Sequence, residues 1–127
     1  MKTRQEIFNQ VAAHLMTQKA PALIAGECRY RGLDGQKCAV GCLIEDKYYN
    51  KEFEGTVVSI LRPNLPRQHG LLNAALLASG VDIIRTSVVT LLSELQQLHD
   101  NVDAEYWSDE LPVIADRLGL TFRMRII

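Results

Sequence analysis

The sequence lacks the features that mark several common classes of protein. Its 127 residues contain no apolar run of the roughly eighteen residues that a membrane-spanning helix needs. The N-terminal stretch MKTRQEIFNQ is polar and has no apolar segment of the kind found in secretory signals. Fourteen basic against fifteen acidic residues give a net charge of −1, so the whole-molecule charge does not favour binding to extended nucleic acid. We therefore expect a cytoplasmic protein with no membrane role.

Cysteine is also scarce, since the chain has three, at positions 28, 38 and 42. An odd number without an export signal argues against a disulfide framework, so we expect reduced thiols. Cys28, Cys38 and Cys42 with a histidine would make four zinc ligands, but zinc knuckles place closely spaced cysteines on a turn, whereas Cys38 and Cys42 lie in an apolar run. The glycine-rich nucleotide motifs and HExxH are absent. The sequence therefore predicts no metal and no cofactor.

What the chain does contain is typical of one globular domain, residues 1–127. Hydrophobic residues make up 47% of it, enough for a single core at this length. Thr3 and Glu6 form a capping box, and the apolar positions that follow recur at helical period until Pro21. Further helices are predicted at residues 71–78, from Ser87 to about His99, and after Ser108.

Two stretches have the signature of strands. Asp34-Gly35 is a strong hairpin signal, because a type I′ turn needs positive φ at both central residues, and it predicts short strands at residues 28–33 and 36–38. In the tail, apolar and polar residues alternate over residues 120–126. Residues 21–27 are interpreted as a connector, residues 38–44 as a short buried helix or turn, and residues 57–61 as a brief helix. The predicted fold is α+β, mostly helical, with a small antiparallel sheet formed by the central hairpin and the C-terminal strand.

The first strand of the hairpin and the tail strand each carry a pair of arginines opposite their apolar residues: Arg29 and Arg31 in the hairpin, Arg123 and Arg125 in the tail. Side chains two apart on a strand share a face, and a third strand would stabilise the marginal hairpin. Four guanidinium groups would then gather on one surface, and guanidinium suits carboxylate and phosphate. The leading hypothesis is thus a binding protein for an acidic protein partner or a phosphate-bearing ligand. Arginines that merely solvate the outer face of a sheet remain the alternative.

A second hypothesis is catalytic. If a helix began at Cys38 or Ala39, its dipole and Lys37 would favour a thiolate at Cys38. His99 could supply the general base and Asp100 its orienting carboxylate, an arrangement suited to hydrolysis or acyl transfer. Buried cysteines are common, however, and Ala39 and Val40 indicate a core location.

The stretches CRYRGLDGQKCAVGCLI and LQQLHD resemble an uncharacterised group of small bacterial and phage proteins that share a CxYRxxDGxKCAVGxLI core and a helix ending in LQxxHD. The resemblance implies a bacterial or phage origin and draws attention to Cys38, Gly41, His99 and Asp100. It implies no mechanism. Inhibition of a host protein is one role that small phage proteins take, and it would suit a binding surface by analogy alone.

Overall fold

The computed structural model describes residues 1–58 and 66–122, and within these ranges it shows four α-helices and one small antiparallel sheet. The predicted class, a mostly helical α+β fold, is confirmed. In chain order the elements are α1 (Arg4–Gln18), β1 (Leu23–Ile24), β2 (Glu27–Cys28), α2 (Arg67–Ala78), α3 (Thr86–Asn101) and α4 (Trp107–Arg117). Short 3₁₀ turns occupy Leu33–Gly35, Gly41–Leu43, Asp46–Tyr48, Lys51–Phe53 and Ala104–Tyr106.

Helix α1 begins as the capping box predicts. The Thr3 hydroxyl accepts a hydrogen bond from the Glu6 amide at 3.1 Å, and the Glu6 carboxylate accepts one from the Thr3 amide at 2.9 Å. The helix ends at Gln18, and Lys19 takes a left-handed conformation just before Pro21. The buried face of α1 packs against α3, α4 and the turn at Gly41–Leu43. Local capping chemistry therefore fixes the start of the helix that lies at the centre of the core.

The later helices form where their periodicity predicts them but start earlier. Helix α2 begins at Arg67, because the residues before position 71 continue the helix after Pro66. Helix α3 begins at Thr86, so Ser87 lies inside it. Helix α4 begins at Trp107, so Ser108 is not its cap and Pro112 lies further into the helix than its predicted place near the first turn.

The sheet differs in position from the prediction. Its two strands, β1 and β2, pair Leu23 with Cys28 and Ile24 with Glu27, so residues interpreted as a connector form the hairpin. The Asp34-Gly35 turn does have two positive φ angles, 55° and 76°, but the residues around it are joined by one isolated bridge, between Arg31 and Lys37. Of the predicted C-terminal strand, residues 120–122 lie outside any strand, and the remainder lies outside the described residues.

Two other predictions concern short segments. The apolar run after Lys37 is a buried turn centred on Gly41–Leu43, one of the two forms predicted for it. A Cβ added at Gly41 would lie 2.0 Å from the Tyr30 carbonyl oxygen, so only glycine allows this turn to approach the chain at Tyr30. Val57 and Val58 are not helical, and the rest of the brief helix predicted there lies outside the described residues.

Candidate ligand-binding cleft and basic surface

A cleft of about 280 Å³ opens between the end of the hairpin, residues 54–58 and one face of α3. The hairpin side, which is β2 and the chain directly after it, contributes Cys28 and Tyr30. The α3 side contributes a polar stripe at i, i+3, i+4 and i+7, formed by Ser93, Gln96, Gln97 and Asp100. The opposite face of α3 carries the leucines of the core. Because one helix face is buried and the other polar, the sequence itself directs this stripe into the cleft.

Glu54 fixes the wall of the cleft opposite α3. Its carboxylate accepts the backbone N–H of Tyr30 at 2.9 Å and that of Arg31 at 3.1 Å, and it also accepts the Tyr49 hydroxyl at 2.6 Å. The Tyr30 hydroxyl donates to the Thr56 carbonyl. Burial, followed by the Glu54 carboxylate, raises the pKa of Tyr49 to about 12. These bonds tie residues 54–56 to the chain after β2, so the wall is held by the hairpin.

The α3 side of the cleft is supported by His99, whose side chain is 0% exposed. Its Nε2 accepts the backbone N–H of Ala22 at 2.8 Å, although the two residues lie 77 apart in sequence. An accepting Nε2 places the proton of the neutral ring on Nδ1, which donates to Asp100 Oδ1 at 2.7 Å. The ring also stacks on Trp107 with centroids 5.8 Å apart. His99 therefore joins the start of the hairpin to the end of α3.

Asp100 is held in place by neutral groups. Besides the His99 N–H, its Oδ1 accepts the Gln96 side-chain amide at 2.8 Å, and Gln96 in turn accepts the Val40 backbone N–H at 3.0 Å. The Asp100 side chain is 34% exposed. Its carboxylate is thus oriented before any ligand arrives, while part of it still faces solvent.

The structure brings Cys28, rather than Cys38, to the His99-Asp100 pair. One ligand atom from each of Cys28, His99 and Asp100 lies within 4.8 Å of the others. Burial, and after it the charge of Asp100, raises the pKa of the exposed Cys28 thiol. The distances would suit a metal ion, but the proton on His99 Nδ1 removes the lone pair that a metal would need on that nitrogen. The group is better described as a thiol beside a hydrogen-bonded carboxylate.

Cys38 lies in the core. It is 0% exposed, its sulfur accepts the Gly41 N–H at 3.1 Å, and no α-helix begins at it. Burial is the main cause of a raised pKa at this thiol, so the expectation of a thiolate at Cys38 is wrong. Both ring nitrogens of His99 already have partners in Ala22 and Asp100. These contacts disfavour the predicted Cys38-His99-Asp100 chemistry, which the structure does not assemble.

The first two predicted arginines are not part of the cleft lining. Arg31 donates to the Ile44 carbonyl at 2.7 Å and to Asp46 at 2.6 Å, and its guanidinium lies 4.9 Å from the centre of the Tyr49 ring. Lys37 lies 3.5 Å from the same Asp46 carboxylate. Arg29 is half-buried, and its charge, like that of Arg31, opposes the rise in the pKa of Tyr49. We call Arg29, Arg31 and Lys37 the basic surface.

Arg123 and Arg125 lie outside the described residues, so the gathering of four arginines stays a prediction. The cleft residues that sequence reasoning missed are Cys28 as a partner of Asp100, Glu54, and the stripe that begins at Ser93. The i, i+3, i+4, i+7 spacing of that stripe was visible in the sequence. What the sequence did not show was the chain segment that faces it.

Comparison with known proteins gives no relative. The chain matches no family model, no curated protein and no solved structure. No helix in the described part of the chain is long and apolar enough to cross a membrane. Functional inference therefore rests on the cleft and on the basic surface themselves.

Proposed function

We propose that this protein is a non-catalytic binding protein and that a small ligand enters the cleft between residues 54–58 and α3. The observation that carries the proposal is the preorganised polar stripe. Asp100 and Gln96 are fixed by hydrogen bonds on the α3 side of a cleft of about 280 Å³. Small-molecule sites typically combine a concave surface with a few oriented polar groups. Preorganisation lowers the entropy lost when a ligand binds.

Three observations favour binding over catalysis. His99 has no free ring nitrogen to act as a base. Cys38 is buried, and the pKa of Cys28 is raised, so neither thiol is activated as a nucleophile. Glu54 is occupied by three donors that hold the cleft wall. His99 and Glu54 are thus engaged in structure, and neither thiol is activated as a nucleophile.

The test is native mass spectrometry after incubation with a small-molecule extract of bacterial cells. Gln97 is exposed at the cleft, so Gln97→Trp fills the opening without disturbing the core. Val113, which is 50% exposed on α4 and outside the cleft lining, gives the matched control Val113→Trp. We expect a small-molecule adduct on the wild type and on Val113→Trp that is lost from Gln97→Trp. An adduct retained by Gln97→Trp, or no adduct on any of the three, would contradict the proposal.

The basic surface is a second candidate, for the acidic protein partner or phosphate-bearing ligand predicted from the arginine pairs. The observation that favours it is Asp46, whose side chain is 79% exposed yet bridges Arg31 and Lys37. The Asp46 carboxylate held between Arg31 and Lys37 supports the proposal that this surface binds an anion. Arg31 is only 18% exposed and is already fixed by the Ile44 carbonyl, so little side-chain entropy would be lost on binding.

The basic surface is tested by titrating inorganic pyrophosphate into ¹⁵N-labelled protein. Asp46→Asn removes the internal carboxylate and should tighten binding, whereas Arg29→Glu should weaken it. Equal dissociation constants for pyrophosphate in both variants would rule this surface out as the anion site. Chemical-shift changes centred away from Tyr49 would do the same.

A further inference from the structure

We propose that the cleft selects a small organic cation, one that carries an alkylammonium or guanidinium group, with Asp100 as its counter-ion. This inference rests on the proposed function, because it names the class of ligand that the same cleft takes. It concerns a second kind of ligand, opposite in charge to the one that the basic surface suits.

The charges around the cleft carry the inference. Among the described residues, its lining has two carboxylates, Glu54 and Asp100, and no lysine, arginine or histidine. Glu54 is satisfied by three donors, two of them backbone amides. Asp100 is different, because its donors are neutral groups, namely the Gln96 amide, the His99 imidazole N–H and the Cys28 thiol. No lysine or arginine pairs with it in the part of the chain that the structure describes. Its charge is oriented but not neutralised.

The neighbouring ionisable groups respond to that charge. After burial, which is the main cause, Asp100 raises the pKa of Cys28, and both Glu54 and Asp100 contribute to the raised pKa of Tyr30. Negative charge nearby therefore adds to burial in favouring the neutral forms of Cys28 and Tyr30. The same potential attracts a positive group that enters the cleft.

The remaining lining suits the carbon skeleton of such a cation. Val57 and Val58 supply apolar surface next to Gly55. Ser93 and Gln97 supply a hydroxyl and an amide oxygen close to Asp100 on the same helix face, and both can accept N–H groups. A cleft of about 280 Å³ is at the small end of ligand sites and fits a molecule of about ten non-hydrogen atoms. A short aliphatic amine or guanidine meets these limits.

The test uses Cys28, which lines the same cleft, as a reporter. Its rate of alkylation by iodoacetamide is measured by peptide mass spectrometry with increasing amounts of pentylammonium, 1-pentanol or pentanoate, three probes of similar shape and different charge. A bound probe covers the thiol and blocks its alkylation, and this steric block outweighs the fall in the pKa of Cys28 that a cation beside Asp100 also causes. We expect protection by pentylammonium at concentrations at least about tenfold lower than by pentanol, and none by pentanoate, since one charge-assisted hydrogen bond distinguishes the first two.

Substitutions at two positions separate charge from shape, each compared with its own rate without probe. Asp100→Asn keeps an oxygen for Gln96 and His99 but removes the charge, and we expect it to weaken pentylammonium protection about tenfold. Gln97 is exposed, so Gln97→Lys and Gln97→Glu should fold normally, the first weakening and the second strengthening protection by pentylammonium. Stronger protection by pentylammonium in Gln97→Lys than in Gln97→Glu would overturn the inference. So would an Asp100→Asn variant that folds and is protected like the wild type.

The remaining outcomes distinguish this inference from the proposal on which it rests. Equal protection by pentylammonium and pentanol would show that the cleft binds ligands without selecting charge. This result would overturn the proposed preference for a cation but not the proposed binding function. A second case is that no probe protects Cys28, while native mass spectrometry finds an adduct that is lost in Gln97→Trp. This result would also overturn the preference for a cation and not the binding function. Failure of both experiments would overturn both proposals.

Discussion

The three cysteines differ in how accessible their thiols are to an alkylating reagent. Cys28 is exposed, Cys42 is half-buried and Cys38 is buried, with a raised pKa at all three. We predict that iodoacetamide modifies Cys28 first, then Cys42, and Cys38 only after unfolding, as peptide mapping over time will show. Catalytic thiol chemistry at Cys38 requires the reverse order. Modification of Cys38 ahead of Cys28 in the native protein would restore the hydrolase hypothesis.

The pH dependence of the Cys28 reaction follows from its neighbour. The thiolate is the reactive form, so a raised pKa means less thiolate and slower alkylation at pH 8. Asp100→Asn removes one cause of the rise, so the pKa of Cys28 should fall towards its usual value and alkylation at pH 8 should accelerate. Burial remains in the variant, so recovery will be partial. An unchanged pH profile would mean that Asp100 and Cys28 do not interact.

His99 is predicted to contribute more to stability than its polar character suggests. His99→Ala removes the acceptor of the Ala22 N–H, the donor to Asp100 and the ring stacked on Trp107, all in a site with 0% exposure. An unsatisfied buried amide together with a cavity should lower the free energy of unfolding by about 3 kcal/mol in urea titrations. Gln97→Ala, two residues away but exposed, is the control and should stay within about 0.5 kcal/mol of the wild type. A loss at His99 no larger than that at Gln97 would contradict the assigned hydrogen bonds.

At the scale of elements, two glycines should respond in opposite directions to the same change. Gly41→Ala places a methyl group 2.0 Å from the Tyr30 carbonyl oxygen, where backbone has to move, and should cost at least about 2 kcal/mol. Gly70 lies inside α2 on an exposed turn with nothing within 4 Å of an added Cβ. Gly70→Ala should therefore stabilise the protein by about 0.5–1 kcal/mol. Thermal and urea unfolding of both variants will measure the difference, and a tolerated Gly41→Ala would show that the turn does not pack as closely as described.

The elements also show where sequence reasoning succeeds and where it stops. Helix α1 was predictable because its cap and its apolar period are local. The sheet was not, because its turn is Ala25-Gly26, with φ angles of 53° and 82°, and alanine gives no signal for a left-handed conformation. The Asp34-Gly35 turn formed as predicted, but the Tyr30 amide donates to Glu54 instead of to a partner strand, so the ladder is not extended there.

The same distinction applies to the site. His99 and Asp100 were named from the sequence, and the stripe that continues from them could have been found from helical spacing alone. Their partner could not, because the bond between Ala22 and His99 joins residues 77 apart and depends on the packing of the whole core. Long-range packing also decided that Cys28, and not Cys38, lies beside Asp100. Sequence thus identified one residue of the α3 side of the cleft, Asp100, and the fold identified the hairpin side.

At the scale of the whole molecule, Trp107 provides the measurement of cooperativity. It is 1% exposed, its indole N–H donates to Leu98 at 3.1 Å and to Val102 at 2.9 Å, and its ring stacks on His99. It therefore reports contacts between the end of α3, the start of α4 and, through His99, the hairpin. We predict that urea unfolding followed by Trp107 fluorescence coincides with unfolding followed by far-ultraviolet circular dichroism, as expected for one domain of residues 1–127. His99→Ala should shift both curves together. If fluorescence changed at a lower urea concentration than ellipticity, the hairpin, the cleft and the helical core would be separate cooperative units, and a ligand in the cleft would then stabilise only the first transition.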